Sequence, residues 1–561
     1  MRWLLYLLIF VASFAIYQES WSNSFVLDDM TKIQENTDLR TPFNLENFIY
    51  PYADARMHFR NDPSRPLTYI MYWVCWHIGD GSPTAFHILS TLLHAFSAML
   101  IAILFLRLSR ILFGGESIYL AGAAAFLFLT SPLMAGTVAY AFGLSDVLGA
   151  FFILATLLTF VGFERPTWFR IADGCALYFL ALASKQSGVI ALPLLIACDY
   201  FTCPQGGLKQ MLKDRARTYG ALTAMTAIYL LTRWLYFGGI GDLEGINETV
   251  PAFDYFTAES VIIFKYLKLI FLPIGFAIDH QPKPADFALL LRIAGWCAIV
   301  GASVFALIAA KTARARSLAW GWVFFLICLL PVSSFLPTVD LFVERRAYLA
   351  AAGILIAICL LAATLPQRSR QFALLLMILG IGGQTALAIE RIHIYGSTEK
   401  LWLESLAEWP DNPRALINLG VFYSAQENWI ESRQVLERLA KLQPQNGSIY
   451  TKLAYIYHQP NYAGRNDERA WELYMEGLHL MPDNIFALYN AGVFQMEKKN
   501  YLGAVAYFDR AIKLSPAMTK AIVAAGQAEW EFGDKDKAKS YFRQALEVDP
   551  TLETPKQYLQ R

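Results

Sequence analysis

Apolar side chains along this chain fall into two patterns. Through residue 391 they form long runs, and beyond it they recur in short groups separated by charges. The runs lie at 3–18, 84–107, 118–134, 146–163, 171–184, 187–202, 217–236, 288–310, 317–334, 346–365 and 371–391. Most approach the roughly 20 residues that a helix needs to cross a hydrocarbon core. Residues 1–392 therefore read as an all-α polytopic bundle of about 11 spans. The first run has Arg2, an apolar core and small residues, as a cleaved leader would. The acids that follow it make more sense tethered to a retained helix. A further stretch, 257–277, carries Lys265 and Lys268 and ends near Pro273 and Gly275, so it reads as re-entrant or interfacial, with a twelfth span as the alternative.

Short loops rich in Lys and Arg stay on the cytoplasmic side. With the first helix running from inside to outside, five basic loops fall inside, provided 257–277 does not cross. They are Arg107/Arg110, Arg165/Arg170, Lys209 to Arg217, Lys311 to Arg316 and Arg368/Arg370. The other unusual ionisable residues then sit at the outer ends of spans. These are Asp28, Asp29, Arg65, Asp146, Lys185, Asp279, Glu344, Arg345 and Arg346. Ionisable groups at membrane depth are costly and usually functional. One outward-facing site could gather them, and the Tyr- and Phe-rich outer loop 18–83 would cover it.

From residue 393 the composition becomes that of a soluble helical domain, 393–561, with a repeat. Pro410, Pro444, Pro482, Pro516 and Pro550 give successive steps of 34, 38, 34 and 34 residues. Thirty-four is the tetratricopeptide period. Gly492/Gly526, Ala504/Ala538, Phe508/Phe542 and Ala511/Ala545 recur in phase. The expectation is four repeats, 411–444, 445–482, 483–516 and 517–550, forming an α-solenoid. The small residues would sit where two helices of a repeat press together, and the aromatic would fill the gap between repeats. The longer step implies an insertion around Asn461 to Asn466, and a leading helix near 397–409 is expected to dock on the last span.

Composition narrows the function. Of 561 residues, 56% are hydrophobic and the formal charge is only +1, which excludes one soluble domain and gives no sign of a nucleic-acid partner. Seven cysteines with no CxxC pair predict neither a disulfide framework nor a metal knuckle.

Candidate chemistry begins with "SFVLDD", where Asp28 and Asp29 follow the first span. A carboxylate at the membrane surface takes a proton from an incoming hydroxyl, while Arg or Lys steadies a departing phosphate. The pair also reads as a helix cap. In "NDPSRPLTYIMYW", Pro66 makes Arg65 a turn residue, suited to phosphate capture or paired with Asp62. His87 and His94, seven residues apart, share one helical face but stand about 10 Å apart along the axis, too far for one metal. They read as polar contacts inside the bundle. "GLSDVLG" puts Asp146 at an outer helix start, as an acid or a cap, and "ASKQSG" puts Lys185 at a tight hairpin, in the cluster or snorkelling. In "VDLFVERRAYL", Glu344 would orient one of Arg345 and Arg346 while the other faces a phosphate.

These motifs in this order, with "SRPLT", "FH" and the trailing repeats, resemble the transmembrane and tetratricopeptide-repeat (TMTC-like) O-mannosyltransferases, in a bacterial-type form. The membrane half also resembles the wider class C (GT-C) glycosyltransferases. The resemblance implies a polyprenyl- or dolichyl-phosphate sugar donor, Ser or Thr hydroxyls of proteins as acceptors, and inversion at the anomeric carbon. By it, Asp28 is the base with Asp29 and Asp146 in support, though which acid of the pair acts stays open. Arg65, Lys185 and Arg345 or Arg346 would meet the phosphate, with His87, His94, Asp279 and Glu344 in support. Gln186 stands where relatives often carry Glu.

No cofactor is required by this reading. Paired acids could hold a divalent cation, but Arg and Lys alone can serve a monophosphate donor, so a metal is left open. The donor tail would lie in a lipid-facing groove walled by Tyr266 and Phe271, and the repeats would present the acceptor protein. A bacterial inner membrane with the site and repeats in the periplasm fits best, and the endoplasmic reticulum membrane with a luminal site is the alternative. Two rival functions are a non-catalytic membrane-anchored repeat scaffold and a class C enzyme with a lipid or glycan acceptor.

Overall fold

The computed structural model describes residues 2–49, 61–203, 207–238 and 250–561. The chain is all-α and divides into two compact units, Met1–Glu404 and Ser405–Arg561. Part of the expected covering loop, residues 50–60, lies outside the described residues.

Counting helices of seven or more residues, the first unit contains α1 (Arg2–Tyr17), α2 (Pro66–Ile78), α3 (Thr84–Phe113), α4 (Ile118–Leu129), α5 (Pro132–Val138), α6 (Leu144–Phe160) and α7 (Trp168–Ser184). It continues with α8 (Ala191–Thr202), α9 (Leu208–Phe237), α10 (Ala252–Phe271), α11 (Leu289–Ala309), α12 (Ala313–Leu329), α13 (Tyr348–Ala363) and α14 (Gln367–Tyr395). Ser117, Thr167 and Thr312 cap the starts of α4, α7 and α12, each accepting a backbone N–H from the first turn. Small residues let α12 and α13 approach closely. A Cβ on Gly321 would stand 2.3 Å from Ala357 Cβ, and one on Gly353 would stand 2.5 Å from the Phe324 ring.

Among the described residues, six helical segments are long and apolar enough to cross a bilayer, and a seventh counts if the bent pair α4–α5 is one span. This is an integral membrane protein. Segments around α11 and α14 are almost wholly exposed despite their apolar sequence, as helices facing lipid would be. The other expected spans are also helical, but α7, α8 and α12 are short, and α9 is less apolar. Two stretches have a local geometry of their own. The run 118–134 is broken by Pro132 into α4 and α5, bent by 57°. The stretch 257–277 is helical and unbroken from Ala252 through Phe271, with Lys265 over the rings of Phe287 and Phe342.

The second unit holds four helix pairs: Pro413–Ala425 with Trp429–Leu442, Gly447–His458 with Asp467–Leu480, Ile485–Glu497 with Tyr501–Leu514, and Thr519–Phe532 with Lys535–Val548. Glu553–Gln560 closes it. The in-phase aromatic packs between repeats and also within its own: Phe508 shares a buried cluster with Ala524, Ala525 and Ala528 of the next repeat, and Phe542 stacks on Tyr558 of the closing helix. A Cβ on Gly492 would meet Phe508 at 2.5 Å and one on Gly526 would meet Phe542 at 2.7 Å, so each ring packs on the glycine of its own repeat. Residues 459–466 form the longer inter-helix connection, pinned by Asn461, whose side chain accepts from Trp429 Nε1 at 3.0 Å.

Candidate active site

The acid pair sits on an irregular segment fastened at both ends. Asn23 donates its side-chain amide to Ile392 O at 3.3 Å. Leu27 then adopts φ +50°, a left-handed conformation that costs a branched residue free energy and that clusters at functional sites. Asp29 behind it is fully buried. Its Oδ2 accepts from Val26 N at 3.1 Å and its Oδ1 from Phe142 N at 2.7 Å. Burial pushes this carboxyl up to about 8, opposed by those backbone N–H groups. Asp28 is half-buried, and its Oδ2 accepts from the Tyr140 hydroxyl at 3.0 Å. Burial and the two carboxylates hold the Tyr140 hydroxyl well above its ordinary value, so it remains a donor. The pair is thus divided: Asp29 is a structural acceptor and Asp28 is the open carboxylate.

The partner of both acids is the tight turn between α5 and α6. Gly143 makes it possible, because a Cβ there would stand 2.2 Å from Thr137 O. One turn into α6, Asp146 makes no cap. It forms an ion pair with Lys185 and lies 3.6 Å from Arg345 Nε. Lys185 follows α7 in extended conformation, ahead of Gly188, which packs on the Ala181 backbone. Burial lowers the Lys185 ammonium to about 8 against the pull of Asp146, with Arg65 and Arg345 lowering it further.

Arg65, Lys185, Arg345 and Arg346 line one cavity of about 300 Å³, together with Gln186 and Arg233. Arg65 also keeps its Asp62 partner at 3.2 Å, so the two readings of that residue coexist. Arg346 donates to Asp340 O at 2.9 Å and Thr338 Oγ1 at 3.0 Å. Arg345 reaches toward the acids, its guanidinium 6.0 Å from the Tyr140 ring and 5.6 Å from that of Phe142. Five cations against the acids Asp62, Asp146 and Asp340 make a surface suited to an anion of one or two charges.

Comparison with known proteins gives a consistent picture. A tetratricopeptide-repeat family profile matches residues 487–518 and 519–552. The chain is 21% identical to mouse protein O-mannosyl-transferase TMTC3 and 20% identical to its human counterpart, each over 95% of this chain. It is 24% identical to mouse protein O-mannosyl-transferase TMTC4, over 75% of this chain and 64% of that protein. This chain is similar to the TMTC proteins over most of its length. It spans 63% of the length of the two TMTC3 proteins. Among solved structures, a crystal structure of MamA is 20% identical, covering 27% of this chain and 81% of that one, with a TM-score of 0.24. A thermophilic tetratricopeptide-repeat protein of Thermus thermophilus is 18% identical, covering 34% and 95%, with a TM-score of 0.26.

Several residues of this chain lie elsewhere than expected. Glu344 does not orient its neighbours Arg345 and Arg346. It turns the other way, accepting from Ala277 N at 2.7 Å, His280 Nε2 at 2.8 Å and Arg391 Nη2 at 2.7 Å, and Arg391 also pairs with Glu404. The reason is geometric: Glu344 opens a short 3-10 turn and faces the bundle core. Asp279 is buried beside this knot, held by Gln281 at 3.1 Å, and does not line the cavity. His94 lies in the core, 2.6 Å from the Tyr348 hydroxyl and 3.3 Å from that of Tyr17, and His87 is buried on the same helix. Tyr266 is buried and donates to Val343 O, while Phe271 is exposed, and neither lines the cavity. The cavity is bounded instead by Tyr229 and the 331–340 segment.

Three participants escaped the sequence reading. Tyr140 stands beside the recognised "GLSD" stretch but is an ordinary outer-turn tyrosine by composition. Arg233 is a cation inside the run 217–236, and a charge at membrane depth is itself a signal of function. Arg391 sits in the last span in the same way. No three His, Cys, Asp or Glu side chains among the described residues converge as metal ligands. With both Asp29 oxygens engaged by N–H groups, the acid pair has one carboxylate left to offer a cation, a poor fit to a divalent site.

Proposed function

We propose that this TMTC-like chain is an inverting, membrane-embedded protein O-glycosyltransferase. It moves a mannose-like sugar from a polyprenyl- or dolichyl-phosphate donor to Ser or Thr hydroxyls. The single supporting observation is the cavity lined by Arg65, Lys185, Arg345 and Arg346, joined through Tyr140 to the open carboxylate of Asp28. The positive-inside bias supports a periplasmic site in a bacterial inner membrane. The repeats recruit the acceptor protein, raising its local concentration.

In this reading the acceptor oxygen attacks the anomeric carbon on the face opposite the phosphate, and its proton passes to Asp28. The bond from that carbon to the phosphate oxygen breaks, and the electron pair leaves with the phosphate. Charge on the leaving group grows as the bond breaks, so cations fixed in place beforehand favour the transition state over the bound donor. Asp29 keeps the acid-bearing loop on the α5–α6 turn, and the Tyr140 hydroxyl orients Asp28.

The test is transfer by the chain reconstituted in nanodiscs, given polyprenyl-phosphate mannose and Ser/Thr-rich protein acceptors, read as added hexose mass. Asp28→Asn is expected to lower turnover about 10²- to 10⁴-fold while retention of labelled donor survives. Unchanged turnover would move the base to another group, and no transfer by the unsubstituted chain would defeat the reading.

A further inference from the structure

The second unit contains a groove of about 270 Å³ whose floor is formed by the first helices of three successive repeats. Val421 and Ser424 come from the first, Lys452 and Tyr455 from the second, and Phe486 and Asn490 from the third. We propose that this groove binds an extended polypeptide segment through an internal Asp or Glu side chain, held by Lys452 and Asn490, with apolar residues of the segment on Phe486, Tyr455 and Val421. The proposal deepens the acceptor-recruiting role given to the repeats and rests on it.

The argument starts from charge. The repeat surface is laced with ion pairs, Arg465–Asp467, Lys498–Asp467 and Lys537–Glu529 among them. Lys452 differs: it is half-buried, and among the described residues it has no hydrogen bond or ion pair. Burial alone lowers its ammonium, with no carboxylate close enough to oppose it. A cation withdrawn from water without a counter-charge is costly, and a carboxylate from outside would relieve that cost. Asn490, which lines the same groove, likewise makes no side-chain hydrogen bond among the described residues, leaving its amide to donate to a carboxylate bound there.

Shape selects an internal side chain. Large apolar residues stand out from the floor on both sides of the cation, with Phe486 72% exposed, Val421 47% and Tyr455 41%. A ligand that ended at Lys452 would cover one flank and leave the other wet. A segment that continues past its acid covers both, and exposed aromatics of this kind anchor peptides well.

The test uses the full chain in nanodiscs of neutral lipid, panned against bead-bound random dodecapeptides. One library is anchored through its C-terminus and a second through its N-terminus, with a free terminal carboxylate. The first library is expected to yield Asp or Glu flanked by apolar residues. An enriched peptide should lose about tenfold or more in affinity when its acid becomes the amide, as removing a charged hydrogen bond does. Lys452→Met, checked by an unchanged melting temperature, should bind both forms alike. Absence of acid enrichment, acid enrichment that persists in Lys452→Met, or enrichment only with the free C-terminus would each overturn the proposal. Binding is read without a sugar donor, so failure here leaves the transfer assay standing, and failure there leaves this result standing.

Discussion

The two units hold themselves together by opposite means. In the first, irregular segments are fixed by buried polar side chains far apart in sequence: Asp29 to Phe142, Lys185 to Asp146, Glu344 to Arg391. In the second, the decisive contact is apolar and local, a glycine sixteen positions before a ring, as in Gly492 with Phe508 and Gly526 with Phe542. Polar fastening sets direction as well as position, because a hydrogen bond fails when misaimed, whereas apolar packing fixes only distance and shape. A cleft that must aim five cations and an acid needs the first kind. A solenoid that repeats one shape needs the second.

The strongest way to break this contrast is to remove one charge from the deepest polar knot. Glu344→Ala would deprive His280 and the Ala277 N–H of this acceptor and leave Arg391 with Glu404 alone. Removing one partner of a buried ion pair costs about 3–5 kcal/mol, and here it also frees the turn that carries Arg345 and Arg346. Thermal unfolding in detergent should fall accordingly, and labelled-donor retention should drop with it. Glu344→Gln keeps an acceptor for the Ala277 N–H and is expected to lose less of both. If Glu344→Ala unfolds no earlier than the parent chain, the knot does not hold the cleft.

This division also explains what the sequence made legible. The repeats were readable because each contact recurs at a fixed period, so Pro516 and Pro550 or Ala504 and Ala538 report the same geometry twice. The all-α class and most helices were readable from apolar runs. In the cleft, Arg65, Lys185, Arg345 and Arg346 could be chosen as costly charges at helix ends, and the structure brings those four to one cavity. Their pairing could not be read. Glu344 and Arg345 are adjacent in sequence yet face opposite sides of a turn, and nothing local distinguishes Asp28 from Asp29. The distinction comes from Phe142, more than a hundred positions away, whose N–H claims one acid and leaves the other.

The apolar side of the contrast is tested by adding volume. In Gly526→Val, the new side chain would start from a Cβ only 2.7 Å from the Phe542 ring, so the last repeat must open. Overpacking of this kind costs about 1–3 kcal/mol, less than the lost ion pair. The expected result is earlier proteolytic cleavage around Thr519–Val548, with a smaller fall in melting temperature than Glu344→Ala gives. Equal protection of parent and variant would show that the ring has room to move.

The smallest effect is the most specific. Lys185 is a cation below about 8 and neutral above it, so its share of phosphate binding is present at neutral pH and lost as pH rises through that value. The groups facing it are Asp146, Arg65 and Arg345, and the two arginines stay charged throughout. Asp29 titrates near the same pH and would add a negative charge to the neighbourhood, which also weakens anion binding. Lys185→Arg separates the two. An arginine keeps its charge across the range, so donor affinity in that variant should lose the part of the alkaline fall due to Lys185 and keep the part due to Asp29. Affinity profiles that coincide between parent and Lys185→Arg from about pH 6.5 to 9 would assign the whole fall to Asp29, and polar fastening would then govern the charge of the cleft as well as its shape.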